Sequence, residues 1–251
     1  MRRSKLALAG IFAGILAISS AWFAMDEPPV PRQKQQLGLM TSLAIYWSGG
    51  ELADMLTEEG EPHWVRSFLE KQYELVLLDS FAAPDGLVPN AQLAGLTQLV
   101  LAQPAALPPA DLVALDDWVR SGGRLLLFAD PMLTEETDFG LGDKRRPQDI
   151  ATLSPLLKRW GLEEGFDPAQ LDLPSAVPVQ DEDLPVHIYG QFASADASAC
   201  TLLGERLVAD CVIGDGRAVI ILDAHMLAAD PIDAQKNRAL RRLMDIAFSQ
   251  E

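Results

Sequence analysis

DDWVRSGGRLLLFADP, residues 116–131, decides how this chain folds, because its glycine pair has two readings. A phosphate-binding loop runs strand, glycine loop, helix, so that the anion sits on the free N–H groups of a helix N-terminus. Here the order is reversed. The segment is the end of an amphipathic helix that starts at Pro108 and Pro109, puts Leu112, Leu115 and Val119 on one face, and runs into the apolar stretch RLLLFAD at 124–130. Gly122 and Gly123 therefore read as a helix C-cap and a turn into a strand, where positive φ is wanted. No G-x-x-x-x-G-K-S/T occurs, so the chain is not itself a P-loop ATPase.

The same alternation continues outward from this unit. SLAIYW (42–47) reads as a first buried strand. PHWVRSFLEKQ (62–72) reads as a helix with proline in its first turn and Trp64, Phe68 and Leu69 at helical spacing. YELVLLDS (73–80) and TQLVLAQP (97–104) read as strands, and IATLSPLLKRWG (150–161) as a helix. Apolar runs between helices, without polar alternation, predict a mostly parallel sheet covered on both faces. The fold class is α/β, a Rossmann-like three-layer sandwich. Residues 162–200 break the rhythm: LPSAVPVQDEDLP reads as a long acidic, proline-rich loop, followed by a short strand at VHIYG (186–190). GRAVIILDA (216–224) is a strand, and AQKNRALRRLMDIAF (234–248) is a closing helix whose Leu240, Leu243, Met244 and Ala247 share a face.

The N-terminus has a different character. Arg2, Arg3 and Lys5 precede residues 6–25, which carry no charge, and about 20 apolar residues is what a helix needs to cross the hydrocarbon core. Basic residues before the span, with Asp26 and Glu27 after it, predict a single-pass transmembrane signal anchor over 1–25 in a bacterial inner membrane, with its N-terminus cytoplasmic. Ser19, Ser20 and Ala21 leave a cleaved signal peptide open as the alternative, although Trp22 and Phe23 extend the apolar run past that site. Both readings export the rest of the chain, a proline-rich linker at 26–40 and a periplasmic α/β domain at 41–251. With 251 residues, 49% of them hydrophobic, the chain suits one sizeable domain. Beyond residue 30 it carries 17 Lys and Arg against 34 Asp and Glu, a net charge of −17. Such a surface repels nucleic acid and anionic headgroups, which excludes a nucleic-acid partner.

The two cysteines fit an oxidising compartment. In CTLLGERLVADC a hairpin turning at Gly204 to Leu207 pairs 203 with 208 and, counting outward, Cys200 with Cys211. A disulfide there stabilises by about 3 kcal/mol; two buried thiols are the alternative. A zinc site lacks two further ligands at a useful spacing, and no cofactor motif is present.

Open α/β sheets place their sites at the carboxyl ends of strands. Those ends carry Asp79, Gln103, Asp130 and the Asp223-Ala224-His225 run. Asp and His within reach of each other could do acid–base work, which makes a periplasmic hydrolase one hypothesis. Against it, no G-x-S-x-G elbow or cysteine nucleophile is present, and an Asp at a strand end is commonly a loop cap. Lys144, Arg145 and Arg146 form a basic loop just after Asp130, a candidate contact for an anionic partner.

LVALDDWVRSGGRLLLFADP followed by LSPLLKRWGL, and later GRAVIILDAHMLAAD followed by NRALRRLMDIAF, resemble the exported domain of GldG-type auxiliary components of ABC transport systems, known from gliding motility. That domain is also similar to the glutamine-amidotransferase-like fold and to a domain of intraflagellar transport proteins. The resemblance covers roughly residues 70–248. It implies a non-enzymatic, membrane-anchored accessory or binding component working beside an ABC permease and an ATPase encoded elsewhere. The chain departs from the pattern in lacking a second, C-terminal span and in being shorter, so a motility role does not carry over. A soluble-ligand or glycan-binding module is a third expectation.

Overall fold

The strands assemble in the order β2-β1-β3-β4-β11-β10-β9, with β1 at Gln35–Thr41, β2 at Tyr73–Leu77, β3 at Gln98–Ala102, β4 at Arg124–Phe128, β9 at Cys200–Leu203, β10 at Val208–Ile213 and β11 at Gly216–Ile221. The structure is a computed structural model and describes residues 34–46, 62–86, 88–135, 137, 139–140, 142–143, 145–170, 173–196, 198–228 and 234–249. Gln35–Glu251 is one compact unit. Strands β2, β1, β3, β4 and β11 are mutually parallel, and β10 and β9 extend the sheet in antiparallel pairings. The parallel part has the doubly wound order 2-1-3-4-5, counting β11 as the fifth strand, and its topological switch point lies between β1 and β3.

Apolar runs form the central strands because both faces are covered. Successive side chains of a strand point to opposite faces. Accordingly Val100, Ala102, Leu126, Phe128, Val219 and Ile221 belong to one core cluster, and Leu99, Leu101, Leu125, Leu127, Ala218 and Ile220 to the other. Helix α1 (Trp64–Glu70) and helix α5 (Ala234–Phe248) cover the first face. Helix α3 (Pro109–Arg120) and helix α4 (Ser154–Arg159), with Leu93 of the short α2 (Ala91–Ala94), cover the second. The fully buried residues of α5 include Leu240, Leu243 and Ala247, as the helical spacing predicts.

The glycine pair is a helix terminator. The Gly123 N–H donates to Trp118 O at 3.1 Å and the Gly122 N–H to Val119 O at 3.0 Å, the two bonds of a Schellman cap. Gly122 has φ +106°, a conformation costly for any residue with a Cβ. The cap docks against the turn between β10 and β11: the Asp215 N–H donates to Arg120 O at 3.0 Å and the Arg217 N–H to Gly123 O at 3.1 Å. A buried carboxylate ties the same helix to α4. Asp116, 2% exposed, accepts from Arg120 Nε at 2.9 Å, Arg159 Nε at 2.5 Å and Trp160 Nε1 at 2.8 Å. Burial pushes its pKa up, but the bonds from Arg120, Arg159 and Trp160 outweigh that and hold it below the ordinary carboxylate range.

Several sequence expectations are corrected. The first strand is Gln35–Thr41, not SLAIYW, so residues 35–40 of the stretch assigned to the linker belong to the sheet. LPSAVPVQDEDLP is a hairpin and not a long loop, and described residues on either side of it are also paired. They form two small antiparallel ladders, β5 (Leu162–Gly165) with β8 (Gln191–Ala195), and β6 (Ser175–Val179) with β7 (Glu182–Val186). The strand expected at VHIYG therefore ends where it was to begin. The acidic turn of the β6–β7 hairpin is held by the basic face of α5, through Arg238 to Glu182 at 3.2 Å and Arg242 to Asp181 at 2.7 Å. The cysteine hairpin has the expected register, Leu203 opposite Val208 and Cys200 opposite Cys211, and the disulfide is formed. The apolar segment 6–25 lies outside the described residues; among those, no helix is long and apolar enough to cross a membrane.

Candidate functional site

Parallel pairing sets the site. Strands β4 and β11 are neighbours in register, Phe128 beside Ile221, so both chains leave the sheet together and present Asp130 and Asp223 two residues later. Both aspartates are 1% exposed. Asp130 accepts through Oδ1 from the Met132 N–H at 2.8 Å and through Oδ2 from the Ala224 N–H at 3.0 Å. Asp223 accepts from the His225 N–H at 2.8 Å and the His187 N–H at 2.9 Å. Each carboxyl thus bridges two chain segments. Around them the His187 and His225 rings meet edge to face with centroids 5.1 Å apart, and Thr134 Oγ1 lies 2.8 Å from His187 Nδ1. The Lys236 side chain, 3% exposed, donates to Ala228 O at 3.3 Å.

Burial raises both acids. The Asp130 carboxyl is pushed up to about 6 by desolvation, against the lowering effect of its backbone bonds and of His187. The Asp223 carboxyl is raised well above its ordinary value, by burial and then by the charge of Asp130. Burial also raises Glu135, with Lys236 opposing. His225 is pulled down to about 4, first by burial and then by the Lys236 ammonium and the nearby His187, so it is neutral at pH 7.

These shifts act on stability in opposite directions. Asp130, raised from 3.8, contributes stability that is complete below pH 3.8 and lost as the pH rises through 6. His225, lowered from 6.5, contributes stability that is present above pH 6.5 and lost as the pH falls toward 4. The destabilisation caused by Asp130→Asn is therefore expected to be larger at pH 4 than at pH 7 in urea titrations. A penalty independent of pH would overturn the assignment.

The switch-point crevice is crossed by bonds between the chain's own loops. Ser42 Oγ donates to Gln103 O at 2.5 Å and accepts from the Gln148 N–H at 3.0 Å. The fully buried Gln103 side chain donates to Asp130 O at 3.1 Å and Gln148 O at 2.8 Å, and accepts from the Asp130 N–H at 2.8 Å. Gln103 holds φ +46° to do so. Among the described residues, these bonds tie together the loops that follow β1 and β3 at the place where doubly wound sheets bind ligands.

Of the residues singled out in the sequence, Asp130, Asp223 and His225 come together; Asp79 stays exposed just beyond the end of β2, apart from that cluster. Lys144 lies outside the described residues. Arg145 pairs with Asp143 at 2.7 Å and stacks on Phe139 at 4.2 Å, and Arg146 pairs with Asp149 at 2.7 Å. The loop's two described cations are thus matched by its own acids. Sequence reasoning did not give His187, Thr134, Glu135, Lys236 or Gln148 a part in the site. Thr134 and His187 meet across 53 residues and Gln148 and Ser42 across 106, and the β6–β7 hairpin delivers His187 to its place.

A family model described as ABC-type uncharacterized transport system matches residues 34–182, more than half of the chain. No curated protein matches. Among solved structures, a ThuA-like protein from Bacteroides uniformis is 13% identical with a TM-score of 0.50, covering 90% of this chain and 95% of that one. An exo-β-1,4-mannosidase from an Opitutaceae bacterium is 11% identical with a TM-score of 0.45, over 92% of this chain and 36% of the enzyme. A cold-adapted β-galactosidase from Rahnella is 10% identical with a TM-score of 0.47, over 85% of this chain and 31% of the enzyme. The chain thus spans about a third of each glycosidase, and the likeness to the ThuA-like protein is one of fold.

Proposed function

Because the chain belongs to the family of auxiliary components of ABC-type transport systems, we propose that it is a non-enzymatic accessory subunit, anchored in the bacterial inner membrane through residues 6–25, with its α/β domain in the periplasm beside an ABC permease and its ATPase. The observation that carries the non-enzymatic part is the bonded switch point: Gln103, Gln148 and Ser42 tie loops together at the crevice where a substrate would lie. Asp130 and Asp223 serve as latches, each oxygen taken by a backbone N–H that ties a loop to the sheet. The absence of a P-loop in the sequence supports an ATPase on another chain.

The test is to purify the full-length tagged protein from membranes in mild detergent and identify what remains bound by mass spectrometry. A permease and an ATPase in near-stoichiometric amounts are expected. Recovery of the chain alone in several detergents would sink the reading.

The gathering of Asp130, Asp223, His187 and His225 favours one second reading, a periplasmic hydrolase. Asp130→Ala, Asp223→Ala and His225→Ala separate the two, since a hydrolase loses turnover while an accessory subunit that remains folded keeps its partners.

A further inference from the structure

At the opposite end of the sheet, the first residues of three adjacent strands, Gln35 of β1, Tyr73 of β2 and Gln98 of β3, meet the last turns of α5 around a cleft of about 450 Å³. That volume is within the range of about 300–1,000 Å³ usual for small-ligand sites. Three carboxamides line it, those of Gln35, Gln72 and Gln98. Gln98 is 7% exposed, and its Oε1 has no hydrogen-bond partner among the described residues. A buried acceptor left unpaired is destabilising, and the soft terminal torsion of a glutamine lets the amide turn toward the cleft.

The α5 wall carries Arg241 and Asp245, one turn apart on the helix, with no ion pair recorded for either among the described residues. The Arg241 guanidinium instead lies over the Phe68 ring, 5.2 Å from its centroid. Asp245 sits near enough to Tyr73 to add to burial in raising the pKa of its hydroxyl. One cation and one anion on the same wall cancel, so neither an anionic nor a cationic ligand is favoured. What the lining offers is a neutral surface of amides, each giving both donors and an acceptor, over aromatic and apolar side chains.

We propose that this cleft is a binding site for a neutral polyhydroxylated ligand of the saccharide class. Sugar hydroxyls both donate and accept, matching carboxamides, carboxylate and guanidinium together. The apolar C–H face of a pyranose matches Tyr73, Phe68 and Phe248. A hydroxyl donor would supply the partner that Gln98 Oε1 lacks. The site is independent of the Asp130 cluster and of association with a permease.

The test uses the full chain in a detergent without a sugar headgroup, with maltotriose, cellotriose and triacetylchitotriose as probes in saturation-transfer NMR and calorimetry. Gln98→Leu removes the buried amide without opening a cavity, and Gln72→Ala alters an exposed position, so both variants are expected to fold. Binding of at least one probe, weakened about tenfold or more by each variant and unchanged by Arg145→Ala, is the expected result. No binding of any probe up to about 10 mM, or equal binding by the variants, overturns the proposal.

Discussion

Replacing Gly216 with valine is expected to abolish folding. A Cβ at this position would stand 1.9 Å from Val119 O and 2.4 Å from Gly123 O. Both are backbone atoms, which cannot rotate away, and both belong to the end of α3 and the glycine cap that follows it. The β10–β11 turn and the α3 terminus would have to separate, breaking the bonds from Asp215 to Arg120 and from Arg217 to Gly123. The loss should exceed about 4 kcal/mol, the range reserved for severe overpacking and broken buried networks. Urea denaturation of whatever soluble protein is obtained measures it. Gly140→Ala, where a Cβ meets nothing within 4 Å, is the neutral control. A Gly216→Val protein as stable as the control would show that α3 does not end against this turn.

The second large effect is loss of the Cys200–Cys211 bond. The bridge closes a loop of sequence separation 11, for which loop-closure entropy gives about 3 kcal/mol. In a domain of this size that corresponds to a fall in Tm of roughly 6–12 °C. The Cys200→Ser/Cys211→Ser double variant should show this loss under oxidising conditions, and the parent should show the same loss when reduced. A double variant with an unchanged Tm, or a parent whose thiols alkylate without denaturant, would argue that the bond is absent from the working protein. The hairpin would survive as a pairing, since Leu203–Val208 and Leu202–Ala209 do not depend on it.

Local chemistry was legible in the sequence wherever one signal dominated. The α3 cap could be read because only a helix followed by a glycine pair and an apolar run has that order. The cysteine register could be read because a hairpin fixes pairing by counting. The first strand was misplaced because β1 opens with Gln35 and Gln36 and carries Gly38 in its middle, whereas the neighbouring SLAIYW is more uniformly apolar. The glycine is there because a Cβ would come within 2.9 Å of the Leu78, Leu96 and Leu99 side chains. Packing, not propensity, selected it. The β6–β7 hairpin was hidden for a related reason: Pro178 and Pro185 read as loop, and the acids at its turn look solvated until Arg238 and Arg242 of α5 arrive to pair with them. The strand-end acids could be named from position alone, but not their partners, since the contact between Asp130 and Ala224 spans 94 residues.

The sheet order also sets the schedule on which the molecule can assemble. Phe128 of β4 pairs with Ile221 of β11, 93 residues later, and the helix that shields one face comes later still. A chain that folds from its N-terminus as it is made can stack β1, β2, β3 and β4, but β4 then waits as a bare apolar edge, open to any strand that passes. Completion depends on the last quarter of the chain. Premature termination or slow completion of that quarter leaves this apolar edge uncovered, so holdase chaperones have a defined target in residues 124–128.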